Sequence, residues 1–241
     1  MLILGMDTSG KYASCGLCED GRLLGEVCIG TRRAHSQVIL PMAKRLVEDC
    51  GKEIGDIDGF AVVTGPGSYT GLRIGIGAVK GLCFGSGKLC GGVSALEAIA
   101  ANFCGAVVCA VMHARQDLYY GAFFEVDMNG DIKRLGSEGD RIIPLNELAG
   151  EAWEMAIGRK VPVICAGEGC EDIARAANAL GEGQESELEF GVFAAPENMR
   201  RPSSYGICRI AERQGLYEPE KLEAEYMQVT KAEKDLQEAQ K

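Results

Sequence analysis

The sequence predicts an α/β protein of two halves, each a mixed sheet covered by helices, and two observations carry that prediction. Apolar runs of strand length alternate with helix-period segments in the order β-β-β-α-β-α-β-α up to about residue 104, and the pattern then partly repeats. Between them, Val62 to Gly77 (VVTGPGSYTGLRIGIG) reads as a buried strand, a Gly-Pro-Gly turn and a helix that continues to about Gly85. With 241 residues, the chain is long enough for one large or two modest domains. The expected division is a first lobe over 1–104, a second over 105–216 whose last helix (203–215) packs back on the first, and a charged tail from Tyr217.

The elements follow in order. Leu2 to Met6 is a strand that ends in the turn Asp7-Thr8-Ser9-Gly10. Tyr12 to Glu19 and Leu23 to Ile29 form a hairpin through Asp20-Gly21. Ala34, Val38, Met42, Leu46 and Cys50 repeat every four residues, which predicts a helix ending at Gly51, with Pro41 marking its start or a kink. After the glycine-rich helix come a strand at Leu89 to Val93 and a helix from Ser94 to about Phe103, where Ser94 and Glu97 form a capping box. The second half has strands at Ala106 to Met112 and Leu118 to Val126, a turn at Asn129-Gly130, and a helix over Asn146 to Ile157. A strand at Val161 to Ala166, a helix at Glu171 to Leu180, a polar loop over Gly181 to Glu189 and a helix capped by Ser203 or Ser204 complete it.

The glycine-rich helix is costly on its own. Gly71, Gly75, Gly77, Gly81 and Gly85 each lose about 0.5–1 kcal/mol relative to alanine in a helix interior. Gly71, Gly75, Ala78, Leu82 and Gly85 share one flat face, while Leu72, Ile76, Val79 and Cys83 form a second apolar stripe. The expectation is that the second stripe meets the chain's own core and the flat face takes another helix, in this chain or another.

Composition narrows the chemistry. A net charge of −10 and a pI near 4.9 argue against an extended grip on nucleic-acid phosphates. The eleven cysteines, mostly among apolar neighbours, read as reduced buried thiols of a cytoplasmic protein without membrane contact. Cys15 and Cys18, three apart on a strand, point to opposite faces and bind no metal together. Gly65 to Gly71 is G-x-G-x-x-x-G, which fits neither the dinucleotide fingerprint nor the P-loop. Ser68 is not in a G-x-S-x-G elbow. The two histidines, His35 and His113, have no paired metal spacing: His35 reads as a capping or interface residue and His113 as local to its strand end. Asp7, Thr8 and Ser9 can be read as a phosphate loop, but spacing alone favours a turn that caps the strand.

Gly65 to Gly75, with Asp7-Thr8-Ser9 on the first strand and His35-Ser36 before Leu40-Pro41, resembles the TsaB (YeaZ-like) family, the small subunit of the bacterial machinery that makes threonylcarbamoyladenosine in tRNA. Ala114-Arg115, Tyr119 to Ala122 and Tyr226-Met227 extend the resemblance along the chain. The departures are Tyr69 in place of phenylalanine, His113 in place of aspartate and Gln228 in place of arginine. The resemblance implies an actin-like (ASKHA, ribonuclease-H-like) fold with two lobes. It further implies a non-catalytic scaffold that binds a TsaD-like catalytic paralogue, with a TsaE-like ATPase joining and tRNA met only through the complex. No cofactor is then held tightly by this chain alone; ATP or ADP and a metal belong to the partner subunits.

The implied interface comprises His35, Ile39, Met42 and Leu46 on the first helix and Tyr69, Gly71, Leu72, Gly75, Ala78 and Leu82 on the glycine-rich one, and a homodimer can use the same face. Asp7, Thr8 and Ser9 become a vestigial phosphate loop. Val93 to Ile99 (VSALEAI) stands where the catalytic paralogue carries two metal-binding histidines, here Ala95 and Ile99 at the corresponding positions, so no metal site is expected. Two rival readings are an independent actin-fold ATPase or kinase using Asp7 to Ser9, and a metallopeptidase.

Overall fold

The computed structural model describes residues 1–30, 34–136, 139–181 and 190–227. The polar loop read over 181–189, except Gly181, and Gln228 with the rest of the charged tail lie outside the described residues.

The first sheet contains β1 (Leu2–Asp7), β2 (Tyr12–Glu19), β3 (Arg22–Gly30), β4 (Gly59–Gly65) and β5 (Leu89–Ser94), in the order β3-β2-β1-β4-β5. Alternating side chains give it two buried faces. Leu4, Met6, Phe60 and Val62 face α1 (His35–Asp49) and α2 (Tyr69–Ser86), meeting Ile39, Met42, Leu46, Ile76, Val79 and Cys83. Ile3, Ala61 and Val63 face the other way, toward Ile207, Cys208 and Ala211 of α6 (Ser204–Gln214). Cys15 and Cys18 fall in these two separate clusters, as a strand spacing of three requires. Pro41 sits within an uninterrupted α1, and α2 stops at Gly87, whose φ of +67° returns its N–H to the Cys83 carbonyl at 2.8 Å.

The second sheet repeats this connectivity. β6 (Ala106–Arg115) pairs antiparallel with β7 (Leu118–Val126) and parallel with β10 (Val163–Gly167), and the order is β11-β10-β6-β7-β8 with β8 (Ile132–Leu135) and β11 (Val192–Ala194) outermost; β9 (Arg141–Pro144) also pairs with β7. In each sheet the first strand is the hub, antiparallel to the second and parallel to a later one, β4 in the first sheet and β10 in the second. That duplication, with helices covering both sheets, is the actin-like two-lobe fold. α4 (Leu145–Arg159) and α5 (Cys170–Ala179) cover the outer face of the second sheet. α3 (Ala95–Ala100) lies between the lobes, with Ala95 and Ala98 against the first and Leu96 and Ile99 against the second.

The start of the charged tail is held to the first lobe. Residues 217–227 do not hang free: Tyr217 exchanges backbone hydrogen bonds with Cys90, Leu222 is fully buried, and the Glu225 N–H donates to the Thr64 carbonyl at 2.9 Å. The apolar residues spaced through this charged segment anchor it along the end of the first lobe. Among the described residues no helix is long and apolar enough to cross a membrane.

Candidate functional site

Ser68 caps α2, its hydroxyl accepting from the Gly71 N–H at 3.3 Å. The turn before it folds directly onto the end of β1. The Thr8 hydroxyl donates to the Gly71 carbonyl at 2.7 Å, the Ser68 N–H donates to the Ser9 carbonyl at 2.8 Å, and His35 Nδ1 lies 3.3 Å from the Thr8 carbonyl oxygen. A Cβ on Gly71 would stand 2.1 Å from the Thr8 carbonyl oxygen, and one on Gly75 2.5 Å from the Thr8 hydroxyl. These glycines therefore exist to admit the Thr8 loop. Asp7 is 3% exposed and accepts from the Ser9 N–H at 2.7 Å; burial pushes its carboxyl upward, opposed by the Ser9 hydrogen bonds and the nearby His35. The Asp7 carboxylate, the Thr8 hydroxyl and the Ser9 backbone are thus engaged within the turn or with α2, while the Ser9 hydroxyl is buried with no hydrogen-bond partner among the described residues.

The residues of the implied interface differ in how much of them this packing leaves accessible. Ile39, Met42, Leu46 and Leu72 are all under a tenth exposed in the chain's own core, and Gly71 and Gly75 are buried against Thr8. His35, Ala78 and Leu82 are half-buried, and only Tyr69 of the expected set is exposed. A glycine row has no side chains to say which way it faces, and the four-residue apolar repeat of α1 marks its inward side.

The outward face of α2 is instead Tyr69, Arg73, Gly77, Gly81, Phe84 and Gly85. A Cβ added to Gly77, Gly81 or Gly85 would meet no atom within 4 Å, and Phe84 is 61% exposed. On neighbouring α1, Leu40 is 42% exposed. At the start of α2 the Tyr69 and Tyr226 rings stack at 4.6 Å, the Arg73 guanidinium lies 4.2 Å from the Tyr69 centroid, and Arg73 Nε donates to the Tyr226 hydroxyl at 2.9 Å. This cluster pins the 217–227 segment to the helix.

The run at Val93 to Ile99 is closed. The Ser94 hydroxyl donates to Asp140 at 2.7 Å while accepting from the Glu97 N–H at 3.3 Å, and Ala95 and Ile99 are buried. His113 Nε2 lies 2.8 Å from the Gln116 carbonyl oxygen and the ring meets Tyr119 edge-on. Among the described residues, no group of three or more His, Cys, Asp or Glu side chains could hold a metal ion.

A family model described as "TsaD: tRNA N6-adenosine threonylcarbamoyltransferase" matches residues 26–148, just over half of the chain. The chain belongs to this family. Within it the chain is TsaB-like: it is 38% identical over 136 residues to a "tRNA threonylcarbamoyladenosine biosynthesis protein TsaB" of Escherichia coli (strain K12), covering 54% of this chain and 58% of that one. A TsaB of Bacillus subtilis (strain 168) is 34% identical over 102 residues, 42% of this chain and 44% of the relative. These matches therefore span about half the length of the curated relatives. Among solved structures, "YeaZ from Pseudomonas aeruginosa" superposes with a TM-score of 0.73 at 26% identity, over 94% of this chain and 99% of that one. The matched segment of the family model contains the whole of this TsaB-like chain's α1 and α2.

Proposed function

We propose that the chain serves the synthesis of N6-threonylcarbamoyladenosine next to the anticodon of tRNA as a non-catalytic, activating subunit, docking a TsaD-like transferase through the outward face of α1 and α2. The names of its relatives support the pathway. The observation that carries the docking reading is the exposed row Gly77, Gly81 and Gly85 beside Phe84 and Leu40. Three outward glycines weaken a helix by about 0.5–1 kcal/mol each. Inward packing does not require them, whereas a second helix lying close against α2 does. An exposed apolar patch of this kind is an interaction surface. A homodimer through the same face is the alternative pairing, and a TsaE-like ATPase, with nucleotide and metal held on the partner subunits, rests on the resemblance alone.

The non-catalytic part is supported by Ala95 and Ile99 at the positions where metal-binding histidines would be needed, and by the bonds that tie the Thr8 hydroxyl and the Ser9 carbonyl to the start of α2. The test is co-expression with a tagged TsaD-like transferase. Gly81→Trp and Phe84→Asp should abolish co-purification and tRNA modification while the isolated chain keeps its thermal midpoint; retained co-purification in both variants overturns the reading. Saturable binding of Mg-ATP by the isolated chain would favour the ATPase reading instead.

A further inference from the structure

A cleft of about 420 Å³ opens between the lobes, within the range of small-ligand sites. One wall is a face of the first sheet. Asp7 pairs in register with Ser14, and Ser14 with Cys28, so these side chains form a row across β1, β2 and β3; Tyr12, two residues before Ser14, shares their face. The half-buried Met112 supplies apolar surface to the cleft, with the buried Ile99 behind its lining.

Arg201 reaches over this wall. Its guanidinium lies 4.4 Å from the Tyr12 centroid, and Nη1 donates to Cys28 Sγ at 3.7 Å. The other cations of the cleft are committed: Lys11 to Glu168 at 2.6 Å and Arg200 to Glu171 at 2.9 Å. Arg201 has no carboxylate within ion-pair distance among the described residues, and sulfur is a weak acceptor, so its planar fork keeps donors for a ligand. Ser14, in the row beneath it, is 4% exposed, lines the cleft, and its hydroxyl has no hydrogen-bond partner among the described residues. A buried hydroxyl without a partner is costly unless something else satisfies it.

We propose that the cleft binds a small organic monocarboxylate, its carboxylate held by the Arg201 guanidinium and the Ser14 hydroxyl and its aliphatic part lying on Met112. The fork of an arginine matches a planar carboxylate through parallel N–H donors. A polyphosphate does not fit the same lining: Asp7, Glu168, Glu171 and Glu197 border the cleft, and one uncommitted arginine neutralises one charge.

Calorimetric titration of the full chain with sodium butyrate at constant ionic strength tests this, with inorganic phosphate and Mg-ATP as comparison probes. Butyrate should bind saturably at one site, about tenfold or more weaker in Arg201→Gln, as loss of a charge-assisted pair implies, and severalfold weaker in Ser14→Ala; phosphate and Mg-ATP should not saturate. Arg201→Lys, which keeps the charge and loses the fork, should fall between. If Arg201→Gln fails to fold, Ser14→Ala, which removes only the buried hydroxyl, carries the comparison. No saturable butyrate binding to the unaltered chain, equal affinity in the folded variants, or Mg-ATP binding that Arg201→Gln abolishes would each overturn the proposal.

Discussion

The two glycine rows of α2 look alike in sequence and do opposite things in the fold. Gly71 and Gly75 lie against Thr8, so close that a Cβ on either would overlap it, whereas Gly77, Gly81 and Gly85 face open space. The first pair lets the turn after β4 seal the end of β1. The second row lowers helix stability with no return inside this chain. Close packing accounts for glycine in one case, and in the other the docking proposed above supplies the account.

The sharpest way to break this contrast is to add a methyl group to each row in turn. Gly71→Ala places its Cβ 2.1 Å from a backbone oxygen that cannot swing away. It should cost about 3 kcal/mol or more, read as a drop in the urea midpoint. The pair Gly77→Ala and Gly81→Ala should instead stabilise the isolated chain, by about 0.5–1 kcal/mol each. Equal losses at both rows would remove the distinction between them.

Asp7 sharpens the inward side through pH. Burial raises its folded-state pKa above the ordinary 3.8, so the folded chain holds a proton that the unfolded chain has released. That contribution falls as pH rises from about 3.8 through the folded value and is level above it. Asp7→Asn keeps an acceptor for the Ser9 N–H and loses the titration. Its stability relative to the parent should climb over that window and then level off, in denaturant titrations at a series of pH values; parallel profiles would contradict the burial of an ionisable Asp7. The smallest effect concerns the outer edge. Tyr226→Ala removes one stacked ring and one hydrogen bond to Arg73 at a half-exposed site, with an expected loss of about 1 kcal/mol and faster amide exchange over 217–227.

Most of the fold was legible because its main elements carry local patterns. β1 and β2 are short, largely apolar runs buried on both faces and bounded by turns, α1 repeats every four residues, and the Asp20-Gly21 and Asn129-Gly130 turns announce themselves. β8, β9 and β11 were missed, each only three or four residues long and held by neighbours rather than by pattern. The orientation of the α2 glycines was not legible either, since it depends on Thr8, 63 residues away from Gly71, and no local period encodes that contact. Arg201 in the cleft escaped for the same reason: its partners Tyr12 and Cys28 come from the opposite end of the chain.

The most direct measurement is a paired one on Gly81→Trp, recording the thermal midpoint of the isolated chain and its co-purification with a TsaD-like transferase. With no atom within 4 Å of the added Cβ, the midpoint should not fall and the transferase should be lost. A bound transferase at full yield, with the indole sitting on that face, would contradict the assignment of the outward glycine row to a partner.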